Sequence, residues 1–388
     1  MQNKNCWQTV ILRVLSYVLV AAVASAATFL LYGEAPSKLD QLEALLQEKF
    51  IGETDQTAME DAAADAMIRA LGDRWSYYIP AAQYGSYKEN KRNEYVGIGI
   101  TIAVREDGTG FDILQVEPDG PAKEAGILPG DILTEVSGQS VAELGTDGAR
   151  VLIQGKAGTE VSVGVLRDGE KLTFQLERKV ISRVVAQGRM LANNVGYVTI
   201  ANFNDKCCEE TTAAVEQLLE QGAQALIFDV RNNGGGYLAE LTDLLDYLLP
   251  EGVIFRSVDY TGKEEVEKSD ADCVEVPMAV MVNSGSYSAA EFFAAALEEY
   301  DWAIVAGDPT SGKGYYQNTY ALNDGSAVGL SVGKYFTPNG ISLADVGGLV
   351  PEILVEVDDQ TAAMIYAGAL APEEDPQLQA AVKALLGS

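Results

Sequence analysis

Met278-Ala279-Val280-Met281-Val282-Asn283-Ser284-Gly285-Ser286-Tyr287-Ser288-Ala289-Ala290-Glu291 is the stretch on which the reading of this chain turns. Five consecutive apolar residues predict a buried strand. Asn283 to Tyr287 predict a turn, and Ser288 opens a helix expected to run to Tyr300. A second strand, Trp302 to Ala306, follows, then Lys313 between Gly312 and Gly314, with Gln317 four residues on. The chain contains no histidine. A serine nucleophile built here therefore lacks an imidazole base, and a lysine is the substitute: a Ser–Lys dyad.

Working outward, 388 residues with 47% hydrophobic and 22% charged composition suffice for two or three domains with real cores. A formal net charge of −30 argues against a nucleic-acid partner, whose phosphates would be repelled. Of the 4 cysteines, Cys6 precedes an apolar run, Cys207 and Cys208 are adjacent, and Cys273 stands alone, which is no disulfide framework. Without histidine or paired CxxC spacing, neither a metal nor a cofactor is expected. Val14 to Tyr32 is uncharged and about as long as a bilayer span requires. Lys4 and Arg13 before it, and Glu34 and Asp40 after it, orient the body of the chain outside the cytoplasm. Ala24-Ser25-Ala26 resembles a signal-peptidase site, but apolar residues continue past it, so an uncleaved anchor is favoured over a removed signal.

Leu39 to Phe50 and Gln56 to Leu71 follow as amphipathic helices, with Trp75 to Tyr95 as an irregular connector. Gly97 to about Lys179 changes texture to short strands and many glycines. From about Val180 strand and helix alternate: Val195 to Ile200, Glu209 to Gln221, Ala225 to Val230, Leu238 to Leu249, then the Ser288 unit. That rhythm predicts layered α/β packing. Asp375 to Leu386 reads as a final amphipathic helix. The amphipathic ends either mediate a homodimer or pack on the core.

Each candidate site has a bland counterpart. Ser288-Ala289-Ala290-Glu291 is also a capping box, with the serine capping and the glutamate reaching back. The functional reading gains because free N–H groups and the dipole at a helix N-terminus suit an oxyanion. Ser284 and Ser286 compete as nucleophiles from the turn. Gly307 to Gly314 nearly spells a phosphate-binding loop. However, Gly314 stands where Ser or Thr should hold magnesium, and a strand rather than a helix follows. Lys313 reads otherwise as a solvated lysine, and Gln317 as a polar strand residue facing water. As a base Lys313 must be neutral, which demands burial. Asp229-Val230-Arg231-Asn232-Asn233-Gly234-Gly235-Gly236 runs a strand into three glycines. It is either a tight turn or, through Gly235 and Gly236, an approach of N–H groups to an oxyanion. Tyr95-Val96-Gly97-Ile98-Gly99-Ile100 is either a bulged strand edge or a loop that presents N–H groups to a peptide carboxylate.

Taken in order, these segments resemble the carboxyl-terminal processing peptidases, the tail-specific serine proteases of family S41. Ala70 to Tyr78 is similar to the family's run before its PDZ domain. Gly97-Ile98-Gly99 resembles the PDZ carboxylate loop, and Gly120-Pro121-Ala122 through Asp131 the PDZ helix-and-strand signature. Gly285 to Glu291 resembles the nucleophile motif and selects Ser288. Gly312-Lys313-Gly314 with Gln317 resembles the motif of the general base and its orienting amide. Tyr335 to Gly340 and Asp375-Pro376-Gln377-Leu378 match further landmarks. Gly234 replaces the usual proline, Tyr287 and Ala290 replace small residues, and Gln154 stands where an arginine is common.

The resemblance implies an α/β multidomain protein: a ββα-layered, crotonase- or ClpP-like protease core, an inserted PDZ domain, an N-terminal helical segment and an N-terminal transmembrane helix. The expected boundaries are 1–36 for tail and anchor, 37–94 for the helical segment, 95–180 for the PDZ domain and 181–388 for the core. Ser288, Lys313 and Gln317 are then catalytic. Ala289 with Gly235 or Gly236 forms the oxyanion site, and Val96, Gly97, Ile98, Gly99 and Ile100 receive the peptide. The implied function is a single-pass extracytoplasmic endopeptidase, at the bacterial surface or periplasm, acting on proteins with apolar C-termini. A catalytically inactive PDZ scaffold and an acyl-CoA enzyme on a similar core are the alternatives.

Overall fold

The computed structural model describes residues 14–23, 36–105 and 107–387. Residues 14–23 are helical, and the rest of the expected span Val14 to Tyr32 lies outside the described residues. Among the described residues no helix is long and apolar enough to cross a membrane. The chain divides into two compact units between Ala66 and Met67. In the first, Ser37 caps the helix Lys38–Lys49 by accepting the Asp40 N–H, while the Asp40 carboxylate accepts the Ser37 N–H at 2.7 Å. None of this helix is buried.

The second unit is organised by a six-stranded sheet. Its strands run in the order Ala186–Met190, Val195–Ile200, Ala225–Asp229, Met278–Val282, Ala303–Gly307 and Ile353–Leu354, all parallel except the first. Successive side chains of a strand point to opposite faces, so the uniformly apolar strands fill two cores at once. Val198, Leu226, Phe228, Val280 and Val282 enter the larger core with the helices Cys207–Glu220, Leu238–Leu248 and Ala289–Glu299. Tyr197, Ile227, Ala279 and Met281 face the other way, onto Leu378 and Ala381 of the C-terminal helix Pro376–Leu386. That end of the chain therefore packs on the core.

A second, antiparallel sheet packs on the helices Leu238–Leu248 and Ala289–Glu299. It comprises Tyr77–Ile79, Ala327–Phe336, Gly252–Asp259 and Glu264–Ser269, with Tyr315–Ala321 also paired to Ala327–Phe336. Phe255, Phe292 and Tyr335 meet edge-on with centroids 4.8 to 5.7 Å apart, joining that sheet to the Ser288 helix. A helix between two sheets has no solvent face, which explains why residues 289–297 are buried all round. The sequence reading missed most of this sheet, because Glu264–Ser269 is polar and largely exposed. It also took Trp75 to Tyr95 as irregular. This stretch contains the strand Tyr77–Ile79, the helix Ala81–Lys91 and the strand Glu94–Gly97.

The inserted domain has its own core around Ile98, Ile113, Ile127, Leu133 and Val163. Its entry and exit strands, Glu94–Gly97 and Lys179–Ser182, pair antiparallel with Tyr95 opposite Ile181. The chain thus enters and leaves this domain at one place.

Arg231 pins the C-terminal helix to the sheet. Its side chain is 4% exposed and bonds the carboxylates of Asp229 at 2.6 Å and Asp375 at 2.8 Å, and the Gln377 amide oxygen at 3.0 Å. Removing one partner of a buried ion network leaves the others charged and unsolvated. Arg231→Met should therefore destabilise the protein by about 3–5 kcal/mol, read as a lower denaturant midpoint. An unchanged midpoint would remove this account of how the helix is held.

Candidate active site

Val282 ends its strand against a turn whose hydroxyl is structural. Ser286 Oγ donates to the Val230 carbonyl at 2.7 Å and accepts the Asn283 N–H at 3.0 Å, so it is not a free nucleophile. Ser288 then sits at φ 58°, ψ −129°, a backbone conformation that a non-glycine residue adopts only when its surroundings over-determine it. Its N–H donates to Glu291 Oε2 at 2.9 Å, and its carbonyl accepts the Glu291 and Phe292 N–H groups. The side chain stands at the head of the helix in a cavity of about 610 Å³ that Lys313 and Gln317 also line.

Glu291 ties Ser288 to the loop that carries Lys313. It is fully buried. Oε2 accepts from the N–H groups of Ser288 and Lys313 (2.8 Å), and Oε1 from the Gly312 N–H (2.6 Å) and Thr310 Oγ1 (2.5 Å). Burial pushes its pKa up, and the four donors act against that. The capping-box pattern showed only the reach to Ser288. The grip on the lysine loop was not visible in sequence.

Lys313 is partly buried. Its Nζ lies 4.8 Å from the Trp75 ring centroid and 5.7 Å from that of Tyr287. Trp75 in turn has the Arg74 guanidinium 4.2 Å from its centroid and the Tyr287 ring at 5.8 Å. Burial lowers the Lys313 pKa to about 8, helped by the charge of Lys91 and opposed by Glu291 and Asp73. Among the described residues no hydrogen bond joins Nζ to Ser288 Oγ; the amine rests over the two rings instead. Gln317 Nε2 donates to the Tyr315 carbonyl (3.1 Å) and Ser331 Oγ (3.0 Å), so only its oxygen is left to aim an amine. Ser331 N–H in turn reaches Ser76 Oγ, which donates to Asp73. Asp73 and Trp75 thus belong to the site, although the sequence marked them only as a family landmark.

The oxyanion expectation needs one correction. The Gly235 N–H donates to Asn233 Oδ1 at 2.8 Å and is not free. The local signal was present, since an asparagine two residues ahead often closes such a turn. Gly235, at φ +81°, instead brings its backbone against Ser288; a Cβ there would stand 2.9 Å from the Ala289 nitrogen. Gly234 and Gly236 line the cavity with Ser288, and Ala289 heads the helix, where N–H groups lack intrahelical partners.

Two departures from the family pattern touch each other. A Cβ on Gly234 would meet the Tyr287 hydroxyl at 2.5 Å. The tyrosine beside the nucleophile thus occupies the room that a larger residue at 234 would need. Gly234→Ala should lower kcat/KM about tenfold, the size of an overpacking cost of about 1–3 kcal/mol. The loss should be much smaller in a Tyr287→Ala background. Equal losses in both backgrounds would mean that the two positions are not coupled.

In the inserted domain Val96 belongs to the strand at the domain junction, and Ile98 fills the core. The Ile98 and Gly99 carbonyls accept the Ala122 and Glu117 N–H groups. Ile100 opens the strand Ile100–Val104, which among the described residues is an edge of its sheet and pairs only with Phe111–Val116. Gln154 ends the helix Val141–Ile153, whose last carbonyls accept the Arg178 guanidinium at 2.7 and 2.9 Å.

A buried serine at the head of a helix thus shares one cavity with a lysine of lowered pKa, in a chain that also carries a small inserted β-domain. Residues 194–355 match peptidase family S41, and residues 96–177 match the PDZ domain. The carboxy-terminal processing protease CtpA of Bacillus subtilis is 32% identical over 361 residues, spanning 88% of this chain and 76% of its own. The carboxyl-terminal-processing protease of Synechocystis is 30% identical over 351 residues, spanning 88% and 81%. The photosystem II D1 C-terminal processing protease superposes with a TM-score of 0.48 at 26% identity, over 82% of this chain and 87% of its own. The chain belongs to peptidase family S41, among the serine-type carboxyl-terminal processing peptidases.

Proposed function

We propose that this chain is a membrane-anchored, extracytoplasmic endopeptidase that captures apolar C-terminal tails with its PDZ domain and cleaves them with a Ser288–Lys313 dyad. The observation that carries the proposal is the shared cavity of Ser288 and a lysine whose burial makes it half neutral near pH 8. A tail enters as an added strand on the Ile100–Val104 edge, with its carboxylate at the Val96–Ile100 loop. The Lys313 side chain swings off Trp75 and Tyr287, which costs about 1–2 kcal/mol of cation–π attraction. Aimed by the Gln317 oxygen, its neutral amine takes the proton of Ser288 Oγ as that oxygen attacks the peptide carbonyl. The Ala289 N–H and a cavity-facing amide near Gly236 receive the oxyanion. Lys313 then returns the proton to the leaving amine, and water, deprotonated by the same group, hydrolyses the ester. The apolar run before residue 36 supports the anchor, and the exposed leucines of Lys38–Lys49 support self-association through that helix.

Fluorophosphonate labelling tests the dyad. A depressed lysine pKa means the base form grows as pH rises through about 8. Labelling of the wild-type chain should rise with that midpoint, not near the ordinary lysine value of about 10.4, and should be absent from Ser288→Ala. Labelling of the alanine variant, or none at any pH in the wild type, would sink the assignment; the latter result is what an inactive scaffold gives.

A further inference from the structure

The chain carries 57 acidic residues against 27 basic ones. The cavity that holds Ser288 reverses that balance. Lys88, Lys91, Arg92 and Lys313 line it, against the single carboxylate of Asp205. Three of these cations come from the end of the helix Ala81–Lys91 and its C-cap, Arg92. A helix C-terminus favours basic residues through its dipole, and that alone would place lysines here. It does not explain why carboxylates, which outnumber cations two to one in this chain, leave them unneutralised. Among the described residues none of the three is in an ion pair. Lys88 and Lys91 lie over the rings of Tyr84 and Tyr237, at 4.7 and 5.3 Å, and Lys91 also donates to Asn204 Oδ1 at 3.2 Å. Neutral partners hold these side chains in place and leave their charge uncancelled. Like charges gathered in one cavity repel, and Lys91 already presses the Lys313 pKa down. A ligand that brings negative charge relieves this repulsion.

We propose that Lys88, Lys91 and Arg92 form a carboxylate-binding subsite of the cleavage cavity, selecting peptides that carry an acidic side chain or a free α-carboxylate beside the scissile bond. This rests on the peptidase reading of the same cavity and names its substrate class. Because the bound carboxylate also faces Lys313, the gain falls in KM rather than kcat.

The test uses the full chain as Ser288→Ala and three fluorescein-labelled decapeptides, with affinity measured by anisotropy. Two are C-terminally amidated and differ only in Glu or Gln at three central positions; the third is the Gln peptide with a free carboxylate. The Glu peptide should bind about three- to tenfold tighter than its Gln twin, as one or two screened charge contacts give. The ratio should shrink in 0.5 M NaCl and vanish in the Lys88→Gln/Arg92→Gln variant, whose two sites are exposed and can change without disturbing the fold. An advantage of the free acid that also vanishes assigns the α-carboxylate to this subsite; one that persists belongs to the PDZ loop. Equal or unmeasurable binding of the Glu and Gln peptides, or a Glu advantage that survives the double variant, overturns the proposal. Wild-type enzyme that cleaves both peptides without preference does so too, and leaves the peptidase reading standing. A Glu preference in binding without any wild-type cleavage would sink the peptidase reading alone.

Discussion

Lys313→Met should lower kcat by about 10³ and leave the melting temperature unchanged or raised. The first figure is the weight of a positioned general base, about 10²–10⁴. The serine, the helix head and the glycine amides remain, so a residual rate over water is expected. The second follows from the surroundings. Among the described residues Lys313 Nζ has no ion pair to lose, and its contacts are the rings of Trp75 and Tyr287. Methionine keeps a thioether against those rings and requires no buried charge. The linkage has a definite sign. Burial lowers the folded-state pKa to about 8, below the unfolded value of about 10.4. Between those values the unfolded chain binds more protons, so wild-type stability rises with pH across that window; below it, the buried ammonium costs stability. The wild-type melting temperature should therefore climb relative to the variant between pH 8 and 10. In the wild type kcat/KM should rise through pH 8. A variant that lost activity together with stability would mark Lys313 as a structural lysine.

What the sequence made legible follows the range of the interactions involved. The strand Met278–Val282 and the helix Ala289–Glu299 were readable because their hydrophobic pattern is local and extreme. Ser288 could be picked out because a small-residue turn stood between them. Lys313 and Gln317 stood out through flanking glycines and the family motif. Trp75 did not, because the ring that seats the Lys313 amine lies on a segment with no periodic pattern, and only the folded sheet brings it there. The strand Tyr77–Ile79 was hidden for the same reason: its partner is Ala327–Gly329. The Arg231–Asp375 bridge joins residues 144 positions apart. Gly235 was misassigned although its cue was local, because a glycine run was read for backbone freedom without asking what the preceding asparagine would bind.

Glu291→Gln should reduce kcat about 10²-fold with little loss of melting temperature, and should move the acid limb of the pH–rate profile to lower pH. Four donors converge on this carboxylate, and three are backbone N–H groups that cannot turn away. A glutamine keeps one oxygen and turns an NH₂ toward donors on the other side, so either the Ser288–Lys313 pair or the Gly312 side of the clamp opens. Catalytic groups displaced by even 1 Å lose about 10² in rate. Stability responds differently. Burial raises the Glu291 pKa, so stability falls as pH rises through the folded pKa, above which the folded state must hold the ionised carboxylate against its desolvation. The neutral amide escapes that cost and offsets the strained contacts it introduces. The charge also matters to the base, since Glu291 supports the protonated form of Lys313. Without it the amine loses its proton more readily, and the limb near pH 8 shifts toward acid. A merely structural glutamate would lower the melting temperature and leave the shape of the pH profile alone. A fixed limb with intact kcat would show that the head of the Ser288 helix and the Lys313 loop keep their geometry without this carboxylate.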